Sequence, residues 1–344
     1  MLFVRGRSFF ILFPFVAYDR EVGSCFSLLE GGIILPEVNS MINWLQMERL
    51  AAHHLSSLIY NSEYNFDSQV IRIADKIYAE RSVRMIMIAG PSASGKTTFA
   101  NLLADRLEFK GVKVHRVSTD DFFIDRDKLD RLPSGVLDFD SLAAMDVKLL
   151  TYCLESILEG RKVVIPTYDF VTGTRSGETR EFTPEEQDIT IVEGIHALNP
   201  VLLGKYAIDD STVCGIYISP RREFLLPSGR HIAPVELRLL RRLLRDYYSR
   251  GYSLDDTLVQ WEEVLKAERT YIYPYVHKAS YTVDSVYDYE LLVYKRCLGT
   301  ALDAHPNKWT ENIREALREV SDIPNMTIPS TSLLNEFIKG GRIE

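Results

Sequence analysis

Residues 90–97 read Gly90-Pro91-Ser92-Ala93-Ser94-Gly95-Lys96-Thr97, a complete G-x-x-x-x-G-K-[ST] phosphate-binding loop. The apolar run 85–89 before it suits a buried strand, and residues 98–107 after it carry apolar side chains at helical spacing. The glycines let the backbone curl so that successive N–H groups point at phosphate oxygens. A chance glycine-rich turn would not need a strand directly before it and a helix directly after it. The stretch therefore predicts a nucleoside triphosphate site.

The loop also predicts which groups hold the phosphates and their metal ion. The N-terminus of the following helix adds partial positive charge, and Lys96 reaches the outer phosphates. The hydroxyl of Thr97 suits a Mg²⁺ ligand, so ATP and Mg²⁺ are the expected cofactors. The residues expected to contact the ATP phosphates are Gly90, Ser92, Ala93, Ser94, Gly95, Lys96, Thr97 and Thr98.

The composition is that of an ordinary globular protein with one large domain or two modest ones. The chain has 344 residues, of which 46% are apolar and 26% charged. Its net charge of −8 argues against a nucleic-acid partner, which usually needs a basic face. Four scattered cysteines (Cys25, Cys153, Cys214 and Cys297) lack metal-ligand spacing, so we interpret them as buried thiols of a reducing compartment.

Residues 5–17 resemble the charged and apolar parts of a signal peptide. No small-residue cleavage site follows, and residues 18–21 are strongly polar, so a buried strand interrupted by Pro14 is the favoured interpretation. No segment approaches the ~18 apolar residues of a membrane span. We therefore expect a cytoplasmic protein without a membrane partner.

The sequence predicts three parts. Residues 1–80 hold two strand-like runs, 8–17 and 25–36, followed by helical patterns from residue 41, and would form a small α+β accessory segment. Residues 81–300 alternate strands and helices, which predicts an α/β fold of the P-loop NTPase type, with a mostly parallel sheet and helices on both faces. Residues 301–344 resemble a polar helical tail. The strand candidates are 84–89, 112–118, 162–166, 188–193 and 213–219, and the helix candidates are 96–109, 141–159, 233–249, 254–268 and 286–298.

Carboxylates follow two of the predicted strands at their carboxyl ends, where the ligands of open α/β sheets bind. Asp120 comes after the second strand, and Glu193 ends the fourth. Such acids can hold Mg²⁺ or accept the proton of an attacking hydroxyl, as phosphoryl transfer requires. A solvated Asp120-Asp121 turn is the competing interpretation, and the nearby His196 is expected to be structural rather than a substrate ligand.

Two segments between these acids are candidates for an acceptor site. Asp140 lies at the start of a predicted helix, where capping explains one acid of the string Asp138-Phe139-Asp140 but not both. Tyr168 and Phe170 follow a strand and precede a polar stretch, 171–180, which predicts a hairpin over a site. Ligand contact and packing at a sheet edge explain these two aromatic residues equally well.

Four arginines form a stripe on the predicted helix 233–249, with leucines on the opposite side. At about 100° per residue, Arg238, Arg241, Arg242 and Arg245 fall within an arc of about 100°. A solvated basic face is the usual interpretation of such a stripe. Guanidinium groups also fork onto phosphate oxygens and neutralise transition-state charge, which favours a lid that closes over the phosphates.

Taken together, these motifs resemble the uridine kinase and phosphoribulokinase family over residues 82–297. The bacterial branch with a threonyl-tRNA-synthetase-like N-terminal region is more similar still, and residues 1–80 would match only the last part of that region. The strings that carry the family resemblance are 90–98, 118–123, 138–140, 166–170, 193–195 and 240–246, and those that carry the branch resemblance are 193–200, 239–253 and 268–275.

The resemblance implies a role for each matching position. Asp120 corresponds to the family's catalytic acid, which accepts the proton of the substrate hydroxyl near Mg²⁺, and Thr97 and Glu193 correspond to the other metal-associated groups. Asp140 stands where uridine kinases bind sugar hydroxyls, and Tyr168 where they pack the base. The residues that complete the expected catalytic set are Lys96 and the lid arginines Arg241, Arg242 and Arg245.

Two departures from the family pattern leave the acceptor open. Gly173 stands where pyrimidine nucleoside kinases have a base-reading His, and Tyr252 replaces a lid Arg. We therefore expect an ATP-dependent kinase for a small-molecule hydroxyl, with the 5′-hydroxyl of a nucleoside favoured. Another sugar, a polyol or a pantothenate-like alcohol is the nearest alternative, and a non-catalytic ATP-sensing module is the alternative outside enzymes. A homo-oligomer is compatible with the sequence.

Overall fold

The computed structural model describes residues 16–19, 24–27, 41–208, 210–323 and 326–338. The chain forms two compact units, residues 1–36 and residues 37–344. In the first unit, strand β1 (Val16–Asp19) pairs antiparallel with strand β2 (Ser24–Ser27). Most of the two strand-like runs predicted from the sequence lies outside the described residues. The elements that follow belong to the second unit.

Strands and helices alternate along the second unit. In chain order, its described strands are β3 (Met41–Asn43), β4 (Met85–Ala89), β5 (Val114–Ser118), β6 (Val163–Asp169), β7 (Thr174–Phe182), β8 (Ile189–Glu193), β9 (Val213–Ser219), β10 (Glu223–Leu225), β11 (His231–Ile232) and β12 (Tyr281–Asp284). Its described α-helices are α1 (Trp44–Ala79), α2 (Lys96–Phe109), α3 (Val147–Leu158), α4 (Pro234–Arg245), α5 (Leu254–Tyr271), α6 (Glu290–Leu298), α7 (Ala301–Ala304) and α8 (Glu311–Arg318).

Five strands form one parallel sheet in the order β12, β9, β4, β8, β5. Every residue of the central strand β4 is buried, as expected for a parallel sheet covered on both faces. Ile86 and Ile88 join a core that contains helices α1, α2 and α4, whereas Met85 and Met87 join a second core with α3 and β6. The predicted α/β fold, with a mostly parallel sheet and packing on both faces, is confirmed.

Four predicted sheet strands are confirmed as β4, β5, β8 and β9, and helix α2 has the predicted bounds. The candidate at 162–166 is confirmed as a strand, β6, but it lies outside the parallel sheet, because it pairs antiparallel with β7 in the predicted hairpin. Its pairing is irregular after Pro166, whose ring nitrogen has no proton to donate to a ladder. The remaining place in the sheet belongs to β12, whose four residues are too few to show a periodicity.

The helical pattern predicted from residue 41 begins three residues later than expected. Met41–Asn43 is strand β3, which pairs parallel with β10. The side chain of Asn43 accepts a hydrogen bond from the backbone N–H of Gln46 and so caps helix α1. This 36-residue helix packs against α2, where the ring centres of Phe66 and Phe99 lie 6.4 Å apart.

The C-terminal segment packs into the same core as the helix after the phosphate loop. Leu333, Leu334 and Phe337 are fully buried there. Our division of the chain at residues 80 and 300 stays a prediction. None of the helices in the described residues combines the length and apolar character that a membrane crossing requires.

Candidate active site

The phosphate loop connects β4 to α2, and at three of its residues the backbone is either too close to a neighbour for a side chain or in a left-handed conformation. Gly90 lies so close to the neighbouring strand that an added Cβ would stand 2.1 Å from the carbonyl oxygen of Ile218. Ala93 and Gly95 adopt left-handed conformations, with φ angles of 58° and 89°. This path brings the loop around the N-terminus of α2, where unpaired N–H groups favour an anion.

Two side chains of the loop fit a triphosphate. The hydroxyl of Ser94 is buried and has no hydrogen-bond partner among the described residues. Lys96 is half-buried, and its Nζ donates to the carbonyl oxygen of Pro91 at 3.1 Å. Burial lowers the pKa of Lys96, while the charges of Glu193 and Asp120 oppose this. Phosphate oxygens would give both side chains charged acceptors.

The acidic residues predicted at two strand ends meet beside this loop. Ser118, at the end of β5, donates its hydroxyl to Oε1 of Glu193 at 2.8 Å, and the Thr97 hydroxyl donates to the same oxygen at 3.4 Å. Ser118 and Glu193 are opposite each other in the pairing of β5 with β8, which explains their contact. Burial and, after it, the negative charge of Asp120 raise the pKa of Glu193 to about 7.

These groups fit a Mg²⁺ ion held largely by water and phosphate. In the described part of the chain, no group of three or more His, Cys, Asp or Glu residues could hold a metal ion by itself. Mg²⁺ usually binds through one or two carboxylates and keeps several waters or phosphate oxygens. Thr97, Asp120 and Glu193 supply one hydroxyl and two carboxylates, whose mutual repulsion a cation would relieve.

A cavity of about 110 Å³ opens beside the phosphate loop. Aromatic side chains and charged groups line it together, which is the usual character of a small-molecule site. Its aromatic lining includes Phe123, Phe139 and Phe170, and its charged lining includes Lys96, Asp120, Asp140, Arg242, Arg245 and Arg250.

Of the three predicted acceptor residues, Asp140 and Phe170 line the cavity and Tyr168 does not. The ring of Tyr168 is buried, with its centre 5.6 Å from that of Phe123 and 5.1 Å from that of Phe170. Tyr168 therefore supports the aromatic wall from behind, which corrects its predicted contact with the substrate. Burial raises the pKa of Asp140, and the positive charge of Arg242 opposes this shift.

Arg242 and Arg245 face the cavity from the end of α4. Nη1 of Arg242 donates to the hydroxyl of Ser92 at 2.9 Å, and Nη2 of Arg245 lies 3.4 Å from the same oxygen. Both arginines also pair with the buried carboxylate of Asp246, at 3.1 and 2.8 Å. Asp246 therefore holds two guanidinium groups beside the phosphate loop.

Arg250 is a cavity residue that our sequence reasoning missed. After α4, residues 246–250 form a π-helical turn that ends at Gly251, whose φ is 70°. This turn brings the guanidinium of Arg250 to 5.2 Å from the ring centre of Phe170. The charge of Arg245 is the main cause that lowers the pKa of Arg250 to about 10. An anion bound between these two groups would relieve their repulsion.

Arg241 does not reach the cavity, which corrects its predicted place in a lid. Its side chain is 0% exposed and pairs with Glu290 at 2.6 Å, while Nη1 lies 3.5 Å from the carbonyl oxygen of Ala93. Arg238 is buried in the same way and pairs with Glu268. Two of the four arginines of the stripe, Arg238 and Arg241, therefore pair with buried acids on α5 and α6. The stripe is not a solvated face, and its arginines do not form a lid of equivalent residues.

We expect Lys substitutions at Arg245 and Arg241 to have different effects. Arg245→Lys keeps the charge but loses the fork that can bind two phosphate oxygens, so turnover should fall about 10- to 100-fold. Its melting temperature should fall less than that of Arg241→Lys, because Arg242 still pairs with the buried Asp246. Arg241→Lys should lower the melting temperature instead, because it leaves part of the buried Glu290 network unpaired at a cost of about 1–3 kcal/mol. Turnover and thermal melts of both variants check this; wild-type turnover in Arg245→Lys would remove that residue from the phosphate-facing set.

His196 is buried near Asp140, as the structural interpretation of this residue predicted. It is 1% exposed, and its ring packs edge-on against Tyr271, with the ring centres 5.8 Å apart. Burial disfavours the charged imidazolium and lowers the pKa of His196 to about 4.

We expect acid to destabilise the fold through His196. An unfolded His binds a proton below pH ~6.5, whereas the folded ring stays neutral down to about pH 4. The unfolded state therefore binds more protons in this window, and stability falls as the pH drops, by about 2 kcal/mol between pH 7 and pH 5. Urea unfolding of the wild type and His196→Leu at both pH values measures the difference. An identical pH dependence in the two proteins would assign it to other groups.

Comparison with known proteins gives consistent matches. The model of the phosphoribulokinase / uridine kinase family matches residues 85–223 and 232–291, more than half of the chain. A uridine kinase from Staphylococcus haemolyticus (strain JCSC1435) is 34% identical over 182 residues, which cover 53% of this chain and 77% of that protein. A uridine kinase from Staphylococcus aureus (strain JH9) is 34% identical over 186 residues, covering 54% and 79%. The solved structure of a possible uridine kinase from Bacillus stearothermophilus aligns with 63% of this chain and 98% of its own, at 22% identity and a TM-score of 0.38.

Proposed function

Because this chain belongs to the phosphoribulokinase / uridine kinase family, we propose that it transfers the γ-phosphoryl group of ATP to the 5′-hydroxyl of a nucleoside. It is an ATP-dependent kinase that acts on a small-molecule hydroxyl. The observation that supports a nucleoside as the acceptor is the lining of a single cavity, which combines aromatic side chains with Lys96, Asp120 and Asp140. A nucleoside offers a group for each: ribose hydroxyls for the carboxylates and a base for the aromatic rings.

In this proposal the cations of the site hold the transferred phosphoryl group. Lys96 and the N–H groups of the loop bind the outer phosphates, and Arg242, Arg245 and Arg250 face the equatorial oxygens. Their charges stabilise those oxygens while the bond from the γ-phosphorus to the bridging oxygen breaks. A bound Mg²⁺ would neutralise phosphate charge, and the groups that would hold it are those of Thr97, Asp120 and Glu193. The clustering of the three guanidinium groups around one cavity supports these roles.

Asp120 is the proposed general base. Its carboxylate accepts the proton of the acceptor hydroxyl as that oxygen bonds to the γ-phosphorus, and ADP leaves with the bridging oxygen. Its position on the cavity wall, at the carboxyl end of β5, supports this role. The neighbouring Asp121 is held instead by Arg180, at 2.8 Å.

A sugar, a polyol or a pantothenate-like alcohol is the second candidate acceptor, and Arg126 favours it. Gly173 has a φ of 74°, and an added Cβ there would stand 2.7 Å from Cζ of Arg126. Arg126 lines the cavity and donates to the carbonyl oxygen of Phe170. A guanidinium at this place suits an oxygen-rich or carboxylate-bearing alcohol better than a pyrimidine edge.

A screen of acceptors tests the proposal. The purified chain is given Mg²⁺, ATP and separate nucleosides, sugars, polyols or pantothenate, and ADP release and product mass are measured. Nucleoside-dependent release of ADP with a 5′-phosphorylated product supports the proposal, and release with another alcohol alone moves the acceptor to that class. Lys96→Ala gives the background rate. If no acceptor exceeds it, neither proposed class of acceptor is the substrate.

The proposal includes action in a reducing compartment, the cytoplasm. Cys153 and Cys214 are free and buried, which suits such a compartment. We also propose a homo-oligomer, which light scattering of the purified protein tests.

A further inference from the structure

The C-terminal segment 326–338 lies against the phosphate loop. Its short 3₁₀ turn, Leu333–Glu336, packs on helix α2. Leu333 fills the space beside Gly95, where an added Cβ would stand 2.3 Å from Cδ1 of the leucine. Leu334 and Phe337 are fully buried on either side of the turn's last residues. The segment is therefore anchored in the core next to the site.

Glu336 of this segment makes contacts that a phosphate would make. Its Oε2 accepts hydrogen bonds from the hydroxyl of Thr98 at 2.6 Å and from the backbone N–H of Thr98 at 3.3 Å. Thr98 is the third residue of α2, so its N–H has no partner inside the helix and lies at the positive end of the helix dipole. A hydroxyl, an N–H group and positive potential at a helix N-terminus are what a phosphate oxygen takes.

The charge of Glu336 also acts on other groups of the site. It opposes the lowering of the pKa of Lys96 and, as a like charge, raises the pKa of Glu193. A bound triphosphate brings several negative charges to the same groups, so the carboxylate and the triphosphate repel each other. They also need the same donors on Thr98.

We propose that Glu336 is an internal competitor of ATP, whose carboxylate occupies a phosphate position on Thr98 and has to leave when ATP binds. The inference rests on the proposed function of the loop as the ATP site, and it concerns the regulation of that site. Because Leu334 and Phe337 hold the segment in the core, we expect the side chain of Glu336 to move rather than the segment. The competition weakens ATP binding without adding to the chemistry.

Glu336→Gln and Glu336→Ala in the full chain test the competition. Glutamine keeps the size of the side chain and an oxygen that Thr98 can bond, while alanine removes the contact altogether. Both variants should bind a non-hydrolysable ATP analogue with Mg²⁺ more tightly, by about tenfold for the loss of a charged hydrogen bond. The KM for ATP should fall accordingly, with kcat unchanged. Calorimetry and steady-state kinetics measure the two quantities, and a thermal melt checks the fold.

Two controls separate this proposal from the one on which it rests. Glu311→Gln removes the same charge from an exposed position in the first turn of α8, and it should bind the analogue like the wild type. Lys96→Ala should bind the analogue more weakly if the loop is the ATP site. If Lys96→Ala retains wild-type affinity, both proposals are wrong. If Lys96→Ala binds weakly but neither Glu336 variant binds more tightly than Glu311→Gln, only the internal competitor is wrong.

Discussion

Lys96→Ala is expected to lose nearly all turnover, about 10³-fold or more, while the protein stays folded. The ammonium of Lys96 lies at the start of α2 next to the carbonyl oxygen of Pro91, within the loop that would surround the phosphates. Its removal takes away a positive charge where negative charge shifts in the transition state, and such preorganised groups contribute about 10²–10³ in rate each. Weaker triphosphate binding adds to the loss. Steady-state ADP release with the best acceptor of the screen measures it.

Lys110→Ala is the matched control for this variant. Lys110 follows the other end of the same helix, where it pairs with Asp75 at 2.6 Å. Its substitution also removes one positive charge, but at a surface ion pair, so turnover should change by less than about twofold. A folded Lys96→Ala protein with turnover near that of Lys110→Ala would show that residues 90–97 are not the phosphate loop of the reaction.

The features that could be predicted from the sequence are those that local pattern determines. The bounds of α2 follow from the phosphate loop before it and the apolar spacing within it, and the sheet strands β4, β8 and β9 are largely apolar runs. Asp120 and Glu193 could be placed beside the loop because parallel strands present their carboxyl ends at one edge. Their roles in catalysis stay predictions.

The features that could not be predicted depend on partners far along the chain. The stripe of arginines on α4 is periodic, but nothing in that helix indicates that Arg241 pairs with Glu290, 49 residues later. The burial of this pair, not the helix pattern, removes Arg241 from the cavity. Arg250 was missed for a local reason, since a π-helical turn changes its direction and breaks the 100° spacing. Glu336 and Thr98 are 238 residues apart in the sequence, and no local sequence pattern predicts their contact.

Asp120→Asn is expected to spare ATP binding and to reduce turnover by ~10²-fold or more, the scale of a lost general base. Asparagine has nearly the shape of aspartate, but its amide cannot accept the proton of the acceptor hydroxyl. The substitution also removes the charge that helps to raise the pKa of Glu193, so Glu193 is ionised more easily in the variant. The loss of turnover therefore cannot come from protonation of Glu193. Single-turnover rates at saturating ATP measure the chemical step without the binding step.

Asp121→Asn is the control that decides which of the two adjacent acids does the chemistry. Burial raises the pKa of Asp121, which could make it a base by titration alone, but Arg180 holds its carboxylate at 2.8 Å and it does not line the cavity. Asp121→Asn should therefore lower the melting temperature and leave the single-turnover rate nearly unchanged. Asp120→Asn should lower the single-turnover rate and leave the melting temperature nearly unchanged. A mild effect of Asp120→Asn beside a ~10²-fold loss in Asp121→Asn would transfer the base to Asp121. Only an arrangement in which the Arg180 pair opens during turnover would then explain the site, because the pair as it stands keeps that carboxylate away from any acceptor hydroxyl in the cavity.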